Sequence, residues 1–543
     1  MTGPASNAFT ADYFRTLGWW RDETLGTWLE RCATTCGERD AVVTARQTLS
    51  YIGLRDAVSA LASGLRGIGI AAGDVVAVHL PNIPEFLTSW LAINERGAVM
   101  QTIHMAYGMR EVGHMLRHSG AKAALALSEL KGRSPAAEIA ALRLPGLRVV
   151  AVGSKIENTE CCDDLVARGS ANRVPPHHGR AADPFLLLYT SGTTAAPKAV
   201  SVTFNHFLSN ARMCARELGV AREDRLLCLA PYTHLYGLYS LELGFSVAAA
   251  ACLLPSFTPP DFINMLERAK PTVLIAGPAH IAACIQQRLF DGVDLSGIRF
   301  AVLSGTTVPI ALSQAFEAML PGGKVLQAWG MTELQFGACS RMSDSAEIRF
   351  GTIGRATPGT ELRVTGAEDR VLPPGETGEL QARGCSLFSG YVGNAAATAT
   401  SFTKDGWFRT GDLASMDAMG NVRLNGRIKE LIDRGGVKFN PSDIEAAIAS
   451  HPAVAQVAIA PVPDEILGER AACFVVLHRD CALDLETLKS FLAEKKFAKF
   501  MWPEQLEIVE EMPMTPTRKI MKAELVRRFL ATPTAGARLA VGS

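Results

Sequence analysis

The densest group of side chains able to do chemistry is Tyr189-Thr190-Ser191-Gly192-Thr193-Thr194-Ala195-Ala196-Pro197-Lys198, directly after the apolar run Phe185–Leu188. Hydroxyls and backbone N–H groups donate to phosphate oxygens, and a lysine adds a mobile positive charge, so such a loop suits a polyanion. The other reading is a polar surface turn, where Ser, Thr and Gly also gather. The spacing GxxxxGK[ST] of a Walker A loop is absent. Ala199–Val202 reads instead as a second strand, and helical patterning starts only near Asn205.

Further carboxylates and cations sit beside turn residues. In Gln327-Ala328-Trp329-Gly330-Met331-Thr332-Glu333, the strand-like stretch Lys324–Gln327 leads to a hydroxyl next to a carboxylate. That pair can hold Mg²⁺ and orient a phosphate; equally, Thr332 can cap a helix with Glu333 in its first turn. In Trp407-Phe408-Arg409-Thr410-Gly411-Asp412-Leu413, the carboxylate past a glycine turn can accept both hydroxyls of a ribose, or be an ordinary turn aspartate. Gly426-Arg427-Ile428-Lys429-Glu430, followed by Gly435-Gly436, has the composition of a surface linker and hence of a domain boundary. Lys519 lies in Pro513-Met514-Thr515-Pro516-Thr517-Arg518-Lys519-Ile520, a Pro/Thr loop where a lysine is ordinarily a solvated side chain.

The elements that must position these groups alternate. Val75–His79 reads as a strand followed by a helix over Pro84–Asn94. Val273–Ala276 is followed by Ala279–Arg288, and Phe300–Leu303 by Ile310–Leu320. Such alternation predicts an α/β fold with parallel sheets covered by helices. Arg168–Asp183 reads as a loop entering the strand before Thr190. At 543 residues the chain exceeds one ordinary core, which predicts a large domain and a smaller one. After the Gly pair, a helix over Asp443–Ala449 and a strand over Val454–Ile459 restart the pattern as a small α+β domain, and Ala531–Ser543 reads as a disordered tail.

Composition excludes several classes. Lys+Arg and Asp+Glu are equal at 54 each, giving no global attraction to nucleic acid or an anionic membrane. Met1–Asp12 lacks the basic and apolar segments of a secretory signal. The longest apolar run, Leu241–Pro255, contains Glu242 and is too short to span a bilayer. The 12 cysteines show no zinc-finger spacing and read as buried thiols of a cytoplasmic protein.

The order of the motifs is what narrows the function. The Ser/Thr/Gly loop with Lys198, then GMTE, TGD, GRIKE with a Gly pair, and PTRK resembles the adenylate-forming superfamily over roughly Leu25 to Leu530. The likeness is greatest to stand-alone acid:CoA ligases, and Tyr13–Trp20 and Asn394–Asp412 are also similar to aryl-acid adenylating enzymes. The resemblance implies a large N-terminal domain of helix-covered β-sheets over 1–425, a hinge at 426–430 containing Lys429, a small mobile α+β domain over 431–530, and a tail over 531–543. It implies that Thr190, Ser191, Gly192, Thr193, Thr194 and Lys198 grip the β- and γ-phosphates of ATP. Glu333 would bind Mg²⁺ and Thr332 contact the α-phosphate. Gly305, Gln327, Trp329 and Gly330 would frame the adenine, and Asp412 and Arg427 would bond the ribose. His234 matches the gate beside the acyl carboxylate, Lys519 the lysine bridging carboxylate and α-phosphate, and Gly435 and Gly436 the lining of a pantetheine tunnel. The implied reaction is acyl adenylate formation with release of pyrophosphate, then transfer to the thiol of coenzyme A or of a carrier protein. The small domain would rotate between the two steps.

Some positions depart from the family pattern. Ala195 and Ala199 stand where glycine is usual, Trp329 replaces Tyr or Phe, Ser304-Gly305-Thr306-Thr307 replaces Gly-Gly-Ala, Val437 replaces Glu, and Arg518 replaces Gly. The alanines leave open a non-catalytic nucleotide-binding relative with a decayed phosphate loop. None of the changes removes a charged catalytic group, however, and the presence of Glu333, Asp412, Arg427 and Lys519 argues against decay. The segments matching the acyl pocket, Tyr232–Tyr239, Ala276–Ile281, Leu303–Thr307 and Trp329–Gly337, offer His234 and His280 but no charged side chain except Glu333. Burying an unpaired charge is costly, so the expected substrate is a neutral aryl, alicyclic or medium aliphatic monocarboxylic acid.

Overall fold

Apolar, β-branched runs too short for helices form central strands buried on both faces. The computed structural model describes residues 10–177, 179–190, 198–464, 466–515 and 520–531. They divide into two compact units, one running to Glu361 with Ala382–Trp407 added, the other comprising Leu362–Gln381 and the chain from Phe408 onward.

The first unit carries two sheets. One is seven-stranded, in the order Glu160–Cys161, Arg148–Val152, Ala123–Leu127, Val75–His79, Val99–Thr102, Pro184–Tyr189, Ala199–Thr203. All its pairs are parallel except the last. The other is nine-stranded and contains the parallel run Lys324–Met331, Phe300–Leu303, Val273–Ala276, Arg225–Cys228, Ala250–Cys252, Asp40–Val43, with antiparallel strands at both margins. Helix residues such as Phe262, Ile281 and Phe316 cover one core, and Val112, Met115 and Ile139 another. The expected strands Val75–His79, Val273–Ala276 and Phe300–Leu303 form with those bounds.

The expected loop over Arg168–Asp183 is shorter than the sequence suggested, because helix Cys162–Ala171 runs through its first residues. Gly169 explains the difference. A Cβ there would lie 1.9 Å from the Ala60 carbonyl oxygen, so this apparent loop residue is a contact point against helix Tyr51–Gly67. The apolar run after Leu241 splits into the end of helix Leu235–Val247 and strand Ala250–Cys252. Among the described residues no helix is long and apolar enough to cross a membrane.

In the second unit, strands Thr360–Thr365, Thr377–Gly384, Phe408–Met416 and Val422–Arg427 form a four-stranded sheet that begins within the first unit's residues. A five-stranded sheet follows, from Val437–Phe439, Ile432–Arg434, Gly468–Leu477, Val454–Asp464 and Gln505–Ile508. Helices Pro441–Ile448 and Leu485–Glu494 cover one of its faces through Ile444, Ile448, Leu488 and Leu492. Helix Lys522–Ala531 covers the other through Leu525 and Phe529. The segment expected as a linker thus contains paired strands, joined where Gly435 and Gly436 both take positive φ, 61° and 88°. The expected tail, apart from Ala531, lies outside the described residues.

Candidate active site

The Ser/Thr/Gly loop joins two strands of one hairpin. Pro184–Tyr189 pairs antiparallel with Ala199–Thr203, ending on Tyr189 opposite Ala199. The Thr190 N–H donates to the Lys198 carbonyl at 2.9 Å, and the Lys198 N–H donates to Thr190 Oγ1 at 3.3 Å. The loop's two ends are therefore tied together. Ser191, Gly192, Thr193, Thr194 and Ala195 lie outside the described residues. Helix Phe204–Leu218 starts only after the second strand, with Thr203 as its cap. This agrees with the strand-then-helix order read from the sequence.

The Thr332–Glu333 pair does not open a helix. Strands Lys324–Met331 and Gln335–Cys339 form a tight hairpin with Met331 opposite Gln335, and Thr332, Glu333 and Leu334 are its turn. Two backbone features permit it. A Cβ on Gly330 would lie 2.1 Å from the Gln335 carbonyl oxygen, and Gln335 takes a left-handed φ of 69°. The hairpin holds Glu333 nearly buried at 8% exposure. The Tyr391 hydroxyl donates to Glu333 Oε1 at 2.7 Å, and the Phe388 N–H donates to the Glu333 carbonyl at 2.8 Å. Burial, then the nearby Glu333 charge, pushes the Tyr391 hydroxyl far above the ordinary phenol range, so it stays protonated as the donor. Lys198 Nζ lies 4.5 Å from the centroid of the same Tyr391 ring. Lys198 and Glu333 thus share one neighbour. Sequence reasoning missed Tyr391, which sits in the irregular stretch between Gly384 and Ala395 with no periodicity to mark it.

The remaining residues of this unit's site stand at the ends of parallel strands. Leu303 pairs with Gln327 in register, placing Gly305, at φ 95°, just beyond its strand. Gln327 Nε2 donates to the Phe350 carbonyl at 2.8 Å, and Trp329 is buried. His234 caps helix Leu235–Val247, its Nδ1 accepting from the Tyr236 N–H at 3.2 Å. The Tyr236 hydroxyl lies 3.2 Å from the Ala276 carbonyl and 2.9 Å from that of Val302, at the ends of adjacent strands. His280 Nδ1 accepts from the Gly277 N–H at 3.1 Å, and the ring meets Phe257 edge-on.

A buried amide fastens this apparatus together. Asn210, fully buried on helix Phe204–Leu218, donates from Nδ2 to the Phe336 carbonyl at 3.0 Å. Its Oδ1 accepts from the Phe336 N–H at 3.2 Å and from the Tyr239 hydroxyl at 2.6 Å. Asn210 therefore links the helix capped by His234 to the hairpin that presents Glu333.

In the second unit, Asp412 and Arg427 are opposite each other across paired strands, with Arg427 Nε 3.0 Å from Asp412 Oδ1. Asp412 is buried and its N–H donates to Thr410 Oγ1 at 3.0 Å. Lys429 is exposed within the short 3₁₀ turn Ile428–Glu430. Its neighbour Glu430 lies 3.4 Å from Lys522 Nζ, which pairs more closely with Glu445 at 2.7 Å. Lys519 lies outside the described residues.

Among the described residues no group of three or more His, Cys, Asp or Glu could hold a metal by itself. A single oriented carboxylate such as Glu333 fits Mg²⁺ arriving with a nucleotide, since that ion is typically held by one or two carboxylates plus substrate phosphates and water.

A cationic loop end and an anchored carboxylate at the strand ends of helix-covered sheets have the chemistry to take a phosphate-bearing ligand. Residues 29–392 match the AMP-binding enzyme family, and residues 443–519 match the AMP-binding enzyme C-terminal domain. A medium-chain fatty-acid–CoA ligase of Escherichia coli (strain K12) is 30% identical over 519 residues, covering 94% of this chain and 91% of that protein. A salicylyl-CoA synthase / salicylate adenylyltransferase from a Streptomyces species is 32% identical over 541 residues, covering 95% of each. The crystal structure of an anthranilate CoA ligase in complex with anthranoyl-AMP shares the fold, with a TM-score of 0.85 at 24% identity over 93% of this chain and 97% of that one. The chain belongs to the AMP-binding enzyme family, and the superfamily resemblance read from its motifs is borne out.

Proposed function

We propose that this protein is an ATP-dependent acid:CoA ligase that adenylates a neutral monocarboxylic acid and passes the acyl group to coenzyme A. The observation that carries the reading is the convergence of Lys198 and Glu333 on Tyr391. A polyanion-binding cation and a metal-suited carboxylate standing together are what nucleotide activation of a carboxylate requires. A carboxylate resists nucleophiles because of its charge, and attack on the α-phosphate converts it into an acyl adenylate with a good leaving group. Two anions meet in that step, so the work is electrostatic. Mg²⁺, held by Glu333 when bound with ATP, would supply charge neutralisation at the phosphates. In our reading Thr190 and Lys198, with Ser191, Gly192, Thr193 and Thr194, hold the β- and γ-phosphates. Thr332 contacts the α-phosphate, Asp412 and Arg427 take the ribose, and Lys519 bridges carboxylate and α-phosphate. Residues 426–430, with Lys429, form the hinge where the chain passes from the four-stranded to the five-stranded sheet. Gly435 and Gly436 serve the pantetheine arm in the second step. The predominance of buried free cysteines suits a reducing, cytoplasmic setting.

The neutral substrate follows from the pocket segments. Tyr236, Tyr239 and Phe336 pack their rings together, with 4.3 Å between the centroids of the last two. His234 and His280 spend their Nδ1 atoms on backbone N–H groups. No cation is present in these segments to pair with a second carboxylate. Turnover of a panel of acids tests this. Neutral aryl, alicyclic and medium-chain acids should exceed amino acids and dicarboxylates, and the reverse order would overturn the specificity.

A further inference from the structure

Tyr391 is fixed from every side before any ligand binds. Its backbone bridges Val200, the next residue's N–H donates to the Ala199 carbonyl at 2.9 Å, and its own N–H donates to Thr398 Oγ1 at 2.9 Å. Its ring meets Phe388 at 4.9 Å, and Phe388 is itself hydrogen-bonded to the Glu333 backbone. The residue is thus joined by main chain to the strand leaving the phosphate loop and by its hydroxyl to the hairpin of the other sheet. The hydroxyl spends its single proton on Glu333 Oε1. The ring offers its face to Lys198.

We propose that Tyr391 is a positioning residue for adenylation, orienting the Glu333 carboxylate for magnesium-bound nucleotide while its ring aligns Lys198 with the same nucleotide. The inference rests on the acid:CoA ligase reading. Loss of a hydrogen bond that orients a metal-binding carboxylate typically costs about tenfold to a hundredfold in metal affinity. A hydroxyl donating to an ionised carboxylate is among the stronger protein hydrogen bonds. Tyr391→Phe removes this one bond and leaves the ring under Lys198. Its effect should therefore be confined to metal-dependent binding and to the adenylation half-reaction.

The experiment measures ATP affinity by calorimetry with and without Mg²⁺ for the wild-type protein, Tyr391→Phe, Glu333→Gln and the double variant. Adenylation is followed by ATP–pyrophosphate exchange, and thioester formation from pre-made acyl adenylate is followed alongside. The gain in ATP affinity brought by Mg²⁺ should fall about tenfold to a hundredfold in Tyr391→Phe, with metal-free affinity and thioester formation unchanged. In the Glu333→Gln background, Tyr391→Phe should add nothing further, because its partner charge is gone. Equal loss of metal-free and metal-bound affinity, or an undiminished effect in the Glu333→Gln background, would overturn the role. A wild-type protein with neither Mg²⁺-dependent ATP binding nor exchange would overturn the ligase reading, and this inference with it.

Discussion

Asn210 offers the sharpest test of how the fold holds the hairpin that presents Glu333. Asn210→Ala removes one donor and one acceptor from a fully buried site. The Phe336 carbonyl keeps the Thr357 hydroxyl, 2.7 Å away, so it is not stranded. The Phe336 N–H and the Tyr239 hydroxyl lose the Oδ1 that both donate to. Each stranded buried donor costs about 1–3 kcal/mol, so the expected destabilisation is about 2–6 kcal/mol. Tyr239→Phe alone withdraws one donor and leaves Oδ1 bonded to Phe336, for about 1 kcal/mol. In the Asn210→Ala background the same change removes a stranded group and should cost nothing or restore stability. The two substitutions should therefore couple by about 1–3 kcal/mol. Thermal melting of the four proteins ranks them, and ATP–pyrophosphate exchange shows whether the Glu333 hairpin has lost register. Additive losses, or full exchange activity in a clearly destabilised Asn210→Ala, would refute the fastening role.

Three further outcomes follow, two from the same functional reading and one from the fold. Asp412→Ala should raise the KM for ATP about tenfold or more, by removing a charged acceptor for ribose hydroxyls, and unchanged nucleotide affinity would exclude that contact. Lys519→Ala should abolish adenylation while sparing thioester formation from pre-made acyl adenylate, and equal loss of both half-reactions would contradict its assignment to one step. Burial, then the charge of Glu30, raises the Glu95 carboxyl from 4.5 to about 7 in the folded chain. Its folded-state pKa exceeds the unfolded one, so the associated stability is present in acid and lost as pH rises through about 7. Glu95→Gln should accordingly flatten the decline in melting temperature between about pH 5 and pH 8, and an unaltered slope would remove Glu95 from the account.

The alternation of strands and helices was legible because buried parallel strands are short apolar runs, as in Val75–His79 and Val273–Ala276. The motifs were legible because their residue types and their order along the chain resemble those of the adenylate-forming superfamily, and the family match over residues 29–392 bears that resemblance out. Local signals failed where meaning depends on what lies across a contact. Gly169 fell within the stretch read as a loop, yet its missing side chain lets two helices touch. Thr332 and Glu333 have the composition of a helix start, but Gly330 and the left-handed Gln335 close a hairpin there. Tyr391 and Asn210 carry no periodicity or spacing that relates them to Glu333. Their importance lies in hydrogen bonds to residues 58 and 126 positions away in the chain.

Thioester formation coupled to AMP release, assayed with neutral monocarboxylic acids, ATP, Mg²⁺ and free coenzyme A, tests the central claim most directly. AMP and acyl-CoA should appear together and in equal amounts for at least one neutral acid. Acyl adenylate accumulating without acyl-CoA would contradict coenzyme A as the acceptor and assign the thiol to a carrier protein. An absence of AMP with every acid would contradict acid activation itself.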